Sequence, residues 1–282
     1  MTGVEMSGVE MSGVGTNGPA VSGLGVTGLS RVFGGIHAVQ DLSFKIPHGI
    51  VQSIIGPNGA GKTTLLNLLT GIYRPSAGGI SLDGQVLTGL PTHKFAAAGI
   101  GRTFQNLQVF FNMSALENVM TGRHLLERCG LLANLVRTPA RRRAEQACRA
   151  RARELLGVVG LDAYAGASAD AMPYGALKRL EIARALAGEP RILLLDEPAA
   201  GLNPTESVEI AELIRRLCRG GTTIVLVEHN MRLVMGVSDR ILVLDHGRAL
   251  SEGTADQVSR DPRVVEAYLG AAETAEADHA RG

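Results

Sequence analysis

The chain has 282 residues, enough to bury a sizeable core in one large domain or two modest ones. Its 28 Lys+Arg against 27 Asp+Glu leave a net charge of +1, without the basic excess of a dedicated nucleic-acid binder, so no nucleic-acid partner is expected. Aromatics are 4% with no Trp, which argues against a base-stacking platform, whereas 36 glycines point to a low-complexity segment and to backbone that must approach a ligand closely.

Residues 1–24 repeat Gly-Val-Glu-Met-Ser at 3–7 and 8–12 and then decay into a Gly/Ser/Thr-rich run. Glu5 and Glu10 are its only charged side chains, so the stretch reads as a disordered leader. No Lys or Arg precedes Arg31 and no apolar run follows the start, so no secretory signal is expected. Cys129, Cys148 and Cys218 are far apart and suggest neither a disulfide framework nor a zinc site. The apolar runs at 192–195 and 241–244 fall far short of the ~20 residues that span a bilayer.

Ordered structure is expected from about Leu24. Residues 51–55 read as a buried strand ending at a glycine-rich turn, and 63–69 as the helix that follows. Residues 80–83 look like a strand closed by the Asp83-Gly84 turn. From 115 to 159 the pattern is helical and arginine-rich: Arg137, Arg141, Arg142, Arg143, Arg149, Arg151 and Arg153 fall there. A solvated face partnered by Glu145 and Glu154 accounts for them; contact with anionic lipid head groups is the sharper reading. Strands at 192–195, 222–227 and 241–244, with a helix at 210–217, imply an α/β fold with a mainly parallel sheet. A last helix is expected at 256–269, and a frayed Ala/Glu tail at 271–282.

Two motifs carry chemistry. Gly56-Pro57-Asn58-Gly59-Ala60-Gly61-Lys62-Thr63-Thr64 is a complete GxxxxGK[ST] loop between an apolar strand and a helix. Its glycines let successive N–H groups curl around phosphate oxygens, and the helix directs its positive end at them. Lys62 then reaches the β/γ-phosphates and the Thr63 hydroxyl ligates Mg²⁺. The partner is Ile192-Leu-Leu-Leu195-Asp196-Glu197-Pro198. A buried strand delivers Asp196 at its carboxyl end as a Mg²⁺ ligand, and Glu197 stands next to polarise an attacking water. Together they make Mg²⁺-dependent nucleotide hydrolysis the leading reading.

With these motifs, over roughly residues 25–270, the sequence resembles the ATP-binding subunit of an ABC transporter. The resemblance identifies Gln105 as the Q-loop glutamine, a second Mg²⁺ contact. Met172-Pro-Tyr174-Gly175-Ala lies where the signature belongs, Ala200-Gly-Leu-Asn203 looks like the D-loop, and His229 like the switch histidine. Phe33, in Val-Phe-Gly-Gly, looks like the aromatic that stacks on adenine. It implies a P-loop NTPase core of RecA-like type, with an antiparallel β subdomain and a helical subdomain inserted at about 106–170. Arg102-Thr-Phe-Gln-Asn, Glu117-Asn-Val-Met-Thr-Gly-Arg-His124, Leu180-Glu-Ile-Ala-Arg and the terminal Ala267-Tyr-Leu-Gly270 are similar to the branched-chain amino acid uptake group, with its larger G-type subunit the closer match.

The resemblance implies a peripheral ATPase on the cytoplasmic face of the cell membrane. Its partners would be a second ATP-binding subunit, integral membrane permeases and, indirectly, a solute-binding protein. Relatives serving urea, amides or aromatic acids share these features, and a soluble non-transport ABC regulator is the alternative of another class. Pro173 and Ala176 depart from the family's usual Ser and Gln. Pro173 supplies neither hydroxyl nor N–H, so the ATP site that this signature completes on a partner is expected to be weakened.

Overall fold

The computed structural model describes residues 22–124, 126 and 139–268. The leader (1–21 of it), Cys129, Arg137 and the tail lie outside the described residues. Two sheets organise the chain. Strands β1 (Leu24–Phe33), β2 (Ile36–Ile46), β4 (Ala77–Leu82) and β5 (Gln85–Val86) form an antiparallel sheet in the order β2-β1-β4-β5. Asp83 and Gly84 both take positive φ, 51° and 81°, which makes the expected two-residue turn between β4 and β5.

The larger sheet uses β3 (Val51–Ile55), β6 (Ile100–Arg102), β7 (Ile192–Asp196), β8 (Thr223–Val227), β9 (Arg240–Asp245) and β10 (Arg248–Gly253) in the order β10-β9-β3-β8-β7-β6. All its pairings are parallel except the β9–β10 hairpin. Every residue of β3, β7 and β8 is buried, as parallel strands covered on both faces require. Alternation along β7 shows the two layers: Leu193 and Leu195 face one core, Ile192 and Leu194 the other. The first core holds helices α3 (Ala115–Thr121), α4 (Pro139–Val158), α5 (Tyr174–Leu186) and α6 (Pro204–Arg219). The second lies between the sheet, the antiparallel sheet and α1 (Lys62–Leu69), with α2 (Thr92–Ala97) at its edge. A smaller core joins α7 (Met231–Val237), α8 (Ala255–Ser259) and the helical residues 262–268 to β3 and β9.

Three sequence expectations change. The helical stretch expected from 115 to 159 is not continuous: α3 stops at Thr121, residues 122–124 form a turn, and a second helix covers Pro139–Val158. The expected final helix at 256–269 breaks at residues 260–261. Pro262 cannot continue a helix but suits the first position of a new one, and Asp261 accepts the Arg263 N–H at 3.0 Å as its cap. Conversely, α6 starts well before 210, because Asn203 and Glu206 form a reciprocal capping box ahead of Pro204.

Asp83 ties the two sheets together. Its carboxylate accepts the Gly23 N–H at 2.8 Å, meets His48 Nε2 at 2.7 Å and takes the Arg191 guanidinium at 3.0 Å. His48 also reaches the Thr223 hydroxyl at the start of β8. Burial pushes the Asp83 carboxyl up, but the Gly23 N–H, His48 and Arg191 together hold it below its ordinary value. A depressed carboxyl stabilises the fold above its unfolded pKa of ~3.9, and that contribution is lost as pH falls through the folded value. Asp83→Asn is therefore expected to unfold about 1–2 kcal/mol more easily at pH 7. It should also lose less stability than the parent as urea titrations are taken into the acid range.

Candidate functional site

The carboxyl ends of β3, β7 and β8 open on one edge of the sheet, around a cavity of ≈ 610 Å³. Residues 58–64, Gln105, Glu197 and His229 line it, together with Ala38 and Val227. Its floor is the loop between β3 and α1. Gly56 and Gly61 hold φ of 152° and 99°, and a Cβ at either would collide with a backbone carbonyl oxygen, of Leu244 and Ala38 respectively. Only glycine permits that approach. The residue capping α1 is Gly61, which offers no side-chain acceptor, so the helix's first N–H groups are left for an anion. Lys62 Nζ donates to the Gly56 and Pro57 carbonyls at 2.6 and 2.9 Å. Burial lowers its pKa, while the negative charges of Glu197 and Asp196 act the other way.

Glu197 faces this floor. Its φ of 49° is a left-handed conformation that costs a non-glycine residue about 1–3 kcal/mol and is typical of strain kept at working sites. Its Oε1 lies 2.8 Å from His229 Nε2, and its Oε2 accepts the Gln105 amide at 3.3 Å. Side chains from two other loops thus converge on this carboxylate. Glu228, adjacent to His229, is buried and accepts the N–H groups of Ala199, His229 and Asn230. It fixes the loop after β7 to the loop after β8.

Asp196 has a different setting. Its Oδ2 meets the Arg102 guanidinium at 2.9 Å with both side chains nearly sealed, at 7% and 4% exposure. Arg102 also donates to Asn67 Oδ1 at 2.6 Å. Arg102, within the Arg102-Thr-Phe-Gln-Asn motif, and Glu228, beside His229, carry no role in the sequence reading. Arg102 is itself the last residue of β6, and only Glu228 offers a signal, a charged residue directly after an apolar strand.

The remaining expected residues stand elsewhere. Phe33, at the end of β1, is outside the cavity lining; its ring packs edge-on against Tyr73 at 5.3 Å beneath the Arg31 guanidinium. Tyr174 is exposed at the first residue of α5. Gly175 is buried against the Glu206 side chain, where a Cβ would collide. The structure does not bring these two to the chain's own Lys62.

A phosphate-binding loop, paired strand-end carboxylates and this sheet order define an ATPase of the ATP-binding-cassette class, and the chain belongs to the ABC transporter family, whose sequence pattern matches residues 39–200. A second pattern, described as branched-chain amino acid ATP-binding cassette transporter, matches residues 250–274. The chain is 47% identical over 245 residues to the high-affinity branched-chain amino acid transport ATP-binding protein BraF of Pseudomonas aeruginosa, covering 86% of this chain and 96% of that protein. It is 46% identical over 241 residues to LivG of Escherichia coli K12, a protein of the same description, covering 85% and 94%. Among solved structures, a nucleotide-free ATP-binding cassette from an ABC transporter superposes with a TM-score of 0.77 at 29% identity, covering 87% of this chain and 98% of that one. An ADP-bound cassette gives 0.76 at 29% identity, covering 88% and 98%.

Removing one member of a buried ion pair strands the other's charge. Arg102→Met is therefore expected to cost about 3–5 kcal/mol of unfolding free energy. Arg102→Met combined with Asp196→Leu is expected to recover part of that loss, measured by urea denaturation.

Proposed function

We propose that the chain binds ATP at this cavity and hydrolyses it to drive uptake of branched-chain amino acids. The observation that carries this is the Glu197 carboxylate, held by Gln105 and His229 above a glycine loop shaped for phosphate. Lys62, released from its two carbonyls, reaches the β/γ-phosphates, and the N–H groups of 58–64 surround them. Glu197 accepts a proton from the attacking water, and His229 orients that carboxylate. Phe33 offers its ring to adenine from the end of β1.

Mg²⁺ suits the donors present. The Thr63 hydroxyl, the Gln105 amide oxygen and Asp196 Oδ1 are hard oxygen ligands. The Gln105 amide nitrogen is engaged by Glu197, and Arg102 takes only Oδ2 of Asp196. The ion would offset charge on the phosphates.

Tyr174 and Gly175 serve the ATP of a second ATP-binding subunit, which in turn completes the present cavity. No helix among the described residues is long and apolar enough to cross a membrane. The neighbouring Phe104, Phe110 and Phe111 stay exposed at 39%, 47% and 47%, a surface for integral membrane permeases at the cytoplasmic face; the solute-binding protein acts through those. Residues 25–270 form the cassette, with its helical part at about 106–170, between the leader and the tail. The branched-chain solute rests on the named relatives.

Glu197→Gln is expected to lower ATP turnover at least 100-fold while leaving ATP affinity within a few-fold, measured by phosphate release and nucleotide titration. An unchanged turnover would remove Glu197 from the reaction. Pro173 sits at the cap position of α5 without a side-chain acceptor, where serine would supply one. Pro173→Ser is expected to raise hydrolysis in the assembled complex several-fold. If hydrolysis and nucleotide-driven dimerisation stay unchanged, the partner's site is not weakened by this signature.

A further inference from the structure

Helix α5 begins at Tyr174 and Gly175, and most of its inward face is apolar: Leu177, Leu180, Ile182 and Leu186 are buried. Lys178 and Glu181 lie on the same buried side, at 2% and 3% exposure. Burying either charge is costly unless it is hydrogen-bonded or paired. Among the described residues no ion pair joins them directly. Both instead bond to one stretch of backbone. Glu181 Oε1 accepts the Phe104 N–H at 3.1 Å, and its carboxylate also accepts the Gln108 N–H. Lys178 Nζ donates to the Gln105 carbonyl at 3.4 Å.

That stretch has no ladder of its own. Residues 103–110 are neither helix nor strand, so their backbone groups need partners from outside. The two side chains, one helical turn apart, grip residues 104, 105 and 108. Between those grips the Gln105 side chain leaves the backbone and reaches Glu197. An apolar pair at 178 and 181 would pack α5 as well, but would not hold this backbone in place.

We propose that Lys178 and Glu181 are positioning residues for hydrolysis: from α5 they clamp the backbone on both sides of Gln105, so that the placement of its amide against Glu197 follows the helix bearing Tyr174 and Gly175. The proposal deepens the ATPase reading and rests on it. Glu181 lies about two turns, roughly 10 Å, along the helix from Tyr174. A helix moves as a rod over that length, so displacement at the Tyr174 end is delivered to Gln105 through two hydrogen-bonded side chains. Neither residue touches the cavity, so nucleotide binding does not depend on them directly.

The test uses the full-length chain with the membrane subunits that co-purify with it, and ATP as the probe. Glu181→Leu and Lys178→Met are expected to lower kcat about 10-fold, with KM for ATP within twofold. Glu181→Gln keeps a carbonyl acceptor and the shape, and is expected to restore kcat to within about threefold of the parent. Amide hydrogen exchange of Phe104 and Gln108 should quicken about 10-fold in Glu181→Leu and much less in Glu181→Gln. If Glu181→Leu folds poorly, Lys178→Met and Glu181→Gln carry the same comparison. Parent-like kcat in Lys178→Met and Glu181→Leu would overturn the clamp, as would equal losses in kcat and KM that Glu181→Gln fails to rescue. A parent complex that hydrolyses no ATP sinks the ATPase reading instead, a result distinct from an active parent with indifferent variants.

Discussion

The structure depends on one constraint: the strands at the centre of the large sheet are buried on both faces, so the polar side chains along them, Gln52, Ser53 and Thr223, are sealed from solvent. Polar chemistry is therefore forced to the strand ends. Gly56 follows the last residue of β3, Asp196 closes β7, and Glu228 and His229 follow β8. Because β7, β8 and β3 are adjacent and parallel, these ends fall side by side. The cavity is a consequence of the sheet rather than an addition to it.

Such an arrangement needs the loops to be held, since a loop alone does not fix a side chain to within an ångström. The protein does this with buried polar residues that belong to neither the core nor the cavity. Glu228 binds two loops by three backbone N–H groups. Lys178 and Glu181 hold the stretch around Gln105. Arg102 fixes Asp196 and, through Asn67, the end of α1. Each saturates otherwise unpaired backbone or charge, and so converts the cost of burying a polar group into a geometric restraint.

The difference between what the sequence revealed and what it hid follows from this. Buried strands read clearly, because runs such as 192–195 and 241–244 have no other use in a soluble core. The phosphate loop read clearly because glycines at fixed spacing are a backbone requirement visible in one dimension. The helical stretch from 115 onward and the last helix were misjudged at Thr121 and Pro262, where local breakers outweigh periodicity. Arg102, Lys178, Glu181 and Glu228 were not legible as restraints. Their partners are 94, 73, 77 and 29 residues away in sequence, and a charged residue within a helix or after a strand carries no mark of being buried.

Asp196 and Glu197 show how neighbours in sequence come to differ in use. The first is the last residue of a buried strand, and its carboxylate is sealed against Arg102 at 2.9 Å. The second turns out of the strand with φ of 49°, which swings its carboxylate away from that pair and toward the cavity. There it accepts from an amide and a histidine rather than from a permanent cation. A carboxylate that meets arginine through one oxygen has its other oxygen left for a cation. The other, at the cavity edge, keeps its carboxylate turned to the cavity. The backbone strain at Glu197 is thus the device that separates a carboxylate sealed against arginine from one that faces the cavity, one residue apart.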